Sequence, residues 1–292
     1  MRVLVTGCNG QVGHSLVQRL KDNVELLAVD RAKLDITDSD AVFETVQNFK
    51  PDYIINAAAH TAVDKAEEEV DLSYVINRDG SAYLAQAANK LGSIILHIST
   101  DYVFPGNKDG LYEENDETGP LGIYGESKLA GEEEVIKANA KHIILRTSWV
   151  FGEFGNNFVK TMLRVGKSRD AMSVVGDQFG GPTYAGDIAD ALVAIINQLE
   201  ANKEAPNQFG VYHYSGLPHV SWCEFAKCVF EKAEANDVLS APVLTSITTD
   251  MYPTPAKRPI NSKMSTTKIS KVFGIEASDW RLALNDIKKY TD

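Results

Sequence analysis

What most restricts the fold of this chain is an alternation in its first half. Short runs rich in Val, Ile and Leu on both faces, at 2–6, 24–29, 52–57, 93–99 and 141–148, are separated by helical patterns. Val12, Leu16, Val17 and Leu20, then Val42, Phe43, Val46 and Phe49, then Leu84, Ala85, Ala88 and Leu91 recur at the spacing of one helix face. A strand that is apolar on both faces needs cover on both. A helix after each strand supplies that cover and makes the strands parallel. Right-handed crossovers then predict an α/β fold with a doubly wound parallel sheet.

After about residue 150 the alternation loosens. A helix is predicted at 187–199, carried by Ile188, Ala191, Leu192, Ile195, Ile196 and Leu199, and a short strand near 211–215 is able to rejoin the sheet. Ser221 and Glu224 have capping-box spacing ahead of Phe225, Val229 and Phe230. The proline-rich stretch 241–263 is expected to be largely non-regular. The division predicted is a nucleotide-binding domain over 1–150, with part of 185–216 rejoining it, and a smaller α/β substrate-binding domain over 151–184 and 217–292. The smaller unit would pack over the carboxyl ends of the strands.

The formal net charge is −11, without a Lys/Arg cluster, which argues against nucleic acid or an anionic membrane as the main partner. No apolar run approaches the ~20 residues of a spanning helix. The chain runs straight into the strand Arg2-Val3-Leu4-Val5 with no basic leader, so a soluble, unprocessed protein is expected. Cys8, Cys223 and Cys228 have no paired spacing and no evident activating cation. They are read as structural thiols in a reducing cytoplasm.

The first chemical signal is Thr6-Gly7-Cys8-Asn9-Gly10-Gln11-Val12-Gly13, between a strand and a helix. Glycines there allow a tight turn and bring backbone N–H groups close to a pyrophosphate at the positive helix end. The spacing is GxxGxxG, and a plain glycine-rich turn is the alternative. Asp30, 17 residues after Gly13 at the end of the second strand, is placed to accept both hydroxyls of an adenosine ribose, or else to cap a turn. Asp30 disfavours a 2′-phosphate and Arg31 could pair with one, so NADH and NADPH both stay open. Asp35, Ile36 and the small residues Ala57, Ala58 and Ala59 lie where adenine and ribose would pass, or pack tightly in the core.

The second signal is Tyr124-Gly125-Glu126-Ser127-Lys128. On a helix, Tyr124 and Lys128 share a face, and an ammonium beside the phenol is expected to lower its pKa from ~10 towards neutrality. A surface helix pair is the alternative. Ser99 and Thr100 end the fourth strand, where their hydroxyls could hold the same carbonyl oxygen or start a turn.

Together, the glycine turn, Asp30, Ser99-Thr100 and Tyr124/Lys128 resemble the extended, sugar-nucleotide-modifying branch of the short-chain dehydrogenase/reductase superfamily, over essentially the whole chain. Longer strings resemble the dTDP-4-dehydrorhamnose reductases: Asn56 to Glu67, Ser99 to Gly106, Arg146 to Val150, Gly155 to Phe158, and Pro253 to Ser262. The resemblance implies a Rossmann-like core and reduction of the C4 keto group of dTDP-4-dehydro-6-deoxy-L-mannose to dTDP-L-rhamnose with NADPH or NADH. It implies Tyr124 as proton donor, Lys128 as its partner and ribose ligand, and Thr100 as the hydroxyl that orients the keto oxygen. Gly7, Gly10, Gln11, Val12, Gly13, Asp30, Arg31, Asp35, Ile36, Ala57, Ala58, Ala59, His60 and Thr61 would line the cofactor. Thr100, Asp101, Trp149, Asn157 and Arg258 would contact the sugar nucleotide.

Related 4,6-dehydratases carry an acidic residue after the Thr-Asp pair; Tyr102 stands there, which disfavours elimination. A 4-epimerase, which would recycle bound NAD, and a non-catalytic NAD(P)-binding regulatory subunit are the other readings. Some members of the family bind Mg²⁺ through a glutamate just after the glycine turn. Ser15 occupies that position, so no magnesium is expected, and the chain is expected as a monomer or homodimer.

Overall fold

A computed structural model of the chain describes residues 1–202 and 208–291. The five apolar runs form β1 (Arg2–Thr6), β2 (Glu25–Val29), β3 (Tyr53–Asn56), β4 (Ile94–Thr100) and β5 (His142–Thr147), and β6 (Gly210–His213) joins them. The order across the sheet is β6-β5-β4-β3-β1-β2, with every pair parallel. The chain moves outward from β1 to β2, then crosses back past β1 to β3. The order therefore reverses between β1 and β3, and their carboxyl ends frame the crevice where open α/β sheets take ligands.

The helices fall where the periodicity places them: α1 (Gln11–Leu20), α2 (Ser39–Phe49), α3 (Ser81–Leu91), α4 (Ile123–Ala138), α5 (Phe158–Gly166), α6 (Ala185–Ala201) and α7 (Trp222–Ala235). Alternation along β1 decides which helices meet which face. Val3 and Val5 pack with Leu16 of α1 and Ile188 of α6, whereas Leu4 packs on the other side with Val42 of α2 and Leu84 of α3. Each such side chain withdrawn from water contributes roughly 1.5–3 kcal/mol, so the two-faced core dominates the stability of the sheet. Asp38 starts α2 by accepting from the Ala41 N–H, and α3 stops where Gly92 turns left-handed (φ +75°).

A separate apolar cluster is built from α5, α7 and the segment Trp280–Tyr290 around fully buried Phe151 and Phe225. The capping box at its edge forms as expected: the Ser221 hydroxyl accepts from Glu224 N–H (3.2 Å) and the Glu224 carboxylate from Ser221 N–H (2.7 Å). Two elements differ from expectation. Within 241–263, Val243–Ile247 forms a strand parallel to Ala171–Val175, because this run, between Pro242 and Thr248, is free of proline and keeps all its backbone donors. Between β3 and α3, short helices at Val63–Ala66 and Val70–Tyr74 run into a π-helical turn at Val75–Gly80. Cys8, Cys223 and Cys228 are free thiols. Among the described residues, no helix is long and apolar enough to cross a membrane.

Candidate active site

The glycine turn sits at the reversal point. Gly7 is left-handed (φ +66°), and a Cβ there would lie 2.7 Å from the Ala57 carbonyl oxygen and 2.7 Å from the Ala58 nitrogen. The turn after β1 can close against the turn after β3 only around a glycine. Gly13 lets the first turn of α1 rest on the Gly7 carbonyl. Gly10, at the N-cap, has no side chain to cap the helix, which leaves the first N–H groups of α1 facing the crevice. Val12 is buried in the core and offers only its backbone. This cradle fits a pyrophosphate.

Asp30 caps the turn after β2. One carboxylate oxygen caps the turn, accepting from Ala32 and Lys33 N–H (3.1 Å each), and the other accepts from Asn9 (2.8 Å). Arg31 leans along the chain to Asp35 (3.3 Å), and hydrogen bonds from Thr37 hold the Asp35 carboxyl below its usual range. Ile36 is buried, Ala57, Ala58 and Ala59 are half-buried, and Thr61 is exposed. His60 is anchored by Ser73 (2.9 Å) and Glu69 (3.0 Å).

Thr100 ends β4 and Tyr124 lies in the first turn of α4. The Thr100 hydroxyl donates to Asp101 Oδ1 (3.0 Å) and accepts from the Tyr102 N–H (3.2 Å). The buried neighbour Ser99 has no hydrogen-bond partner for its hydroxyl. Burial pushes the Tyr124 phenol up, and the Thr100 hydroxyl only partly offsets it. The expected lowering by Lys128 is therefore not found. Lys128 is not a surface residue (2% exposed), and its Nζ reaches into β4, donating to the Ile98 carbonyl (2.7 Å) beside His97 Nε2 (3.4 Å). Burial pushes the Lys128 amine down to about 8, against the opposing pull of Glu132.

Asp101 is also buried, and burial pushes it up to about 6 although Ser262 and Thr100 favour the carboxylate. Ser262 belongs to the proline-rich strap. From the same strap, Arg258 donates to Asp64 (2.7 Å) and to the Tyr102 hydroxyl (3.3 Å), and the Tyr102 ring stands edge-on to Tyr124 at 5.4 Å. Strings far apart in sequence thus converge on Tyr124. Trp149, in a left-handed conformation (φ +47°), stacks on Trp222 at 3.5 Å and covers Gly180. Asn157 caps α5 through Lys160 N–H, and its amide donates to Gly152 and to Gln11 (3.0 Å), tying it to the glycine turn rather than leaving it open.

The residues do not fit a magnesium site at the glycine turn. Ser15 is buried with its hydroxyl on the Gln11 carbonyl (3.1 Å), and the Arg19 guanidinium one turn on grips both oxygens of Asp190 (2.5 and 2.9 Å). No group of three or more candidate ligands occurs among the described residues.

His97 and Trp222 are not singled out by the sequence, and Tyr102 and Arg258, each named there, are not expected to touch. A lone histidine among the aliphatics of β4 was a signal for the first. Nothing in the sequence pairs Trp222 with Trp149.

The profile of the family described as RmlD substrate binding domain matches residues 1–291. A dTDP-4-dehydrorhamnose reductase of Aggregatibacter actinomycetemcomitans is 51% identical, over 100% of this chain and 99% of its own. The crystal structure of a dTDP-4-dehydrorhamnose reductase from Clostridium acetobutylicum superposes with a TM-score of 0.90 at 39% identity, covering 99% of this chain and 98% of that one. The Bacillus anthracis dTDP-4-dehydrorhamnose reductase, solved in complex with NADP, gives 0.88 at 39% identity and 98% of both chains. With the cradle in place at the sheet's reversal point, and Thr100, Tyr124 and Lys128 at the end of β4 and on α4, these matches make the chain a member of the dTDP-4-dehydrorhamnose reductase family.

Proposed function

We propose that this chain reduces the C4 keto group of dTDP-4-dehydro-6-deoxy-L-mannose to dTDP-L-rhamnose with NADPH or NADH, in the cytoplasm. The observation that carries the reading is the placement of Thr100 at the carboxyl end of β4 and of Tyr124 and buried Lys128 one turn apart on α4, with the glycine turn following β1. A bound nicotinamide supplies the hydride.

Tyr124 gives its proton to the carbonyl oxygen as that oxygen gains electrons. A phenol raised by burial stays protonated across the neutral range, which suits a donor in the reductive direction. Thr100 orients the same oxygen. Lys128 binds the ribose and restores the Tyr124 proton. Gly7, Gly10 and Gly13 hold the pyrophosphate, with Gln11, Val12, Asp30, Arg31, Asp35, Ile36, Ala57, Ala58, Ala59, His60 and Thr61 along the rest of the dinucleotide. Asp101, Trp149, Asn157 and Arg258 serve the sugar nucleotide, with Arg258 suited to a diphosphate fork. In this reading residues 1–150, with 185–216, hold the cofactor, and 151–184 with 217–292 close over the substrate; the unit works as a monomer or homodimer. Tyr102, its phenol raised by burial and bonded to Arg258, supplies no carboxyl group for elimination.

The test is Tyr124→Phe. Turnover should fall by about 10²-fold or more while the dissociation constant for NADPH stays near the wild-type value. Near wild-type turnover would sink the assignment.

A further inference from the structure

His97 lies in β4, fully buried, between Asn56 and Lys128. Its neighbours determine which protons it carries. Asn56 Oδ1 accepts from the Ala58 backbone N–H (3.2 Å) and the Thr6 hydroxyl (2.8 Å). A backbone N–H can only donate, so this end of the amide is the oxygen. The Nδ2 end therefore donates to Ser81 Oγ (3.2 Å), whose own proton goes to the Asn77 carbonyl (2.8 Å), and to His97 Nδ1 (3.1 Å). Nδ1 is thus an acceptor. Burial first, and Lys128 second, hold His97 well below its usual range, so the ring is uncharged and its one proton sits on Nε2.

Nε2 faces Lys128 Nζ at 3.4 Å. An ammonium has only N–H groups to present and would meet another donor there. An uncharged amine has a lone pair that accepts the Nε2–H while an N–H still serves the Ile98 carbonyl.

We propose that His97 is a positioning residue in proton supply: its Nε2–H, fixed by Asn56, stabilises the uncharged amine of Lys128 and so helps Lys128 pass a proton to Tyr124. The inference rests on the reading of Tyr124 as donor given above. In balance, the Tyr124 O–H bond breaks as its proton goes to the substrate oxygen. A Lys128 N–H bond then breaks and the Tyr124 O–H re-forms. The amine accepts a hydrogen bond from Nε2–H, which stays on its own nitrogen, and solvent returns a proton to Lys128. Several titratable groups around this helix have partners of their own. Glu132 is paired with Arg146 on β5, Glu126 with Tyr74, Glu67 with the Ile123 N–H, and Asp101 with Thr100. Of these, Glu132 pulls Lys128 upward, opposite to the effect assigned to His97.

The experiment is NMR on the whole chain, with ¹⁵N-labelled histidine and ¹³C-labelled lysine. The His97 signals should report the Nε2-protonated tautomer throughout the pH range in which Lys128 titrates; an Nδ1-protonated ring or an imidazolium overturns the proposal. Asn56→Asp replaces the fixed donor with an acceptor, moves the proton to Nδ1 and presents Nε2 as an acceptor. The Lys128 midpoint should then rise by about one unit or more, and the alkaline limb of the turnover profile should move with it. An equal rise in Asn56→Asp combined with His97→Phe would assign the shift to the added charge alone and overturn the role of His97. The tautomer measurement needs no variant and no substrate. A chain that shows it but reduces no sugar nucleotide would fail the functional reading and leave the His97–Lys128 coupling standing.

Discussion

Arg146 should be among the costliest residues to remove. It projects from β5 onto Glu132 of α4, donating through Nε (2.9 and 3.2 Å) and Nη2 (2.7 Å), with side-chain exposures of 5% and 1%. Arg146→Met leaves the Glu132 carboxylate buried without its partner. A broken buried pair typically costs ~3–5 kcal/mol, a large part of the ~5–15 kcal/mol by which a domain is stable. At roughly 2–4 °C per kcal/mol, the melting temperature should fall by on the order of 10 °C. Replacing both partners with methionine removes the charges together and should restore most of the loss, because desolvating the pair offset much of its attraction. Urea unfolding at neutral pH measures this through the midpoint, provided the slope is unchanged. A single variant within about 1 kcal/mol of wild type, or a double variant as unstable as the single, would refute the reasoning. The pair also seats α4 against β5, so the single variant should disturb the placement of Tyr124 and Lys128.

Gly13→Ala drives a methyl group into the Gly7 carbonyl and should abolish NADPH binding in a fluorescence titration; binding within about threefold of wild type would contradict the cradle. Asp101 has its folded pKa raised from 3.8 to about 6, so the folded state holds a proton that the unfolded chain has already released in that window. Its contribution therefore lowers stability as pH rises from about 4 to 6, by up to ~3 kcal/mol, and Asp101→Asn should flatten that slope in urea unfolding. An unchanged slope would show that Asp101 titrates normally. Because Ser15 and Arg19 leave no magnesium ligand set at the glycine turn, turnover in EDTA should equal turnover without it. Activity restored only by added Mg²⁺ would contradict this.

The sheet and its helices were legible because buried parallel strands must be apolar on both faces and the covering helices on one. The local chemistry at Ser221 and Glu224 was legible for the same reason, since a cap depends on residues three apart. The strand Val243–Ile247 was hidden: five residues among prolines look like loop until a partner strand is known. The Tyr124–Lys128 pair shows where spacing stops informing. Positions i and i+4 fix where two Cβ atoms lie, but a lysine stem is long enough to carry its charge elsewhere, here into β4 towards Ile98 and His97. The state of His97 depends on Asn56, Thr6 and Ala58, brought together only by the β1–β3–β4 pairing.

The most direct test of the central claim is oxidation of NADPH and NADH by the purified chain, supplied with dTDP-4-dehydro-L-rhamnose made in situ by an epimerase, with the product identified by NMR. The account predicts stoichiometric nucleotide oxidation, dTDP-L-rhamnose as product, and loss of both with Tyr124→Phe. Cofactor binding without any turnover of this sugar nucleotide would contradict it.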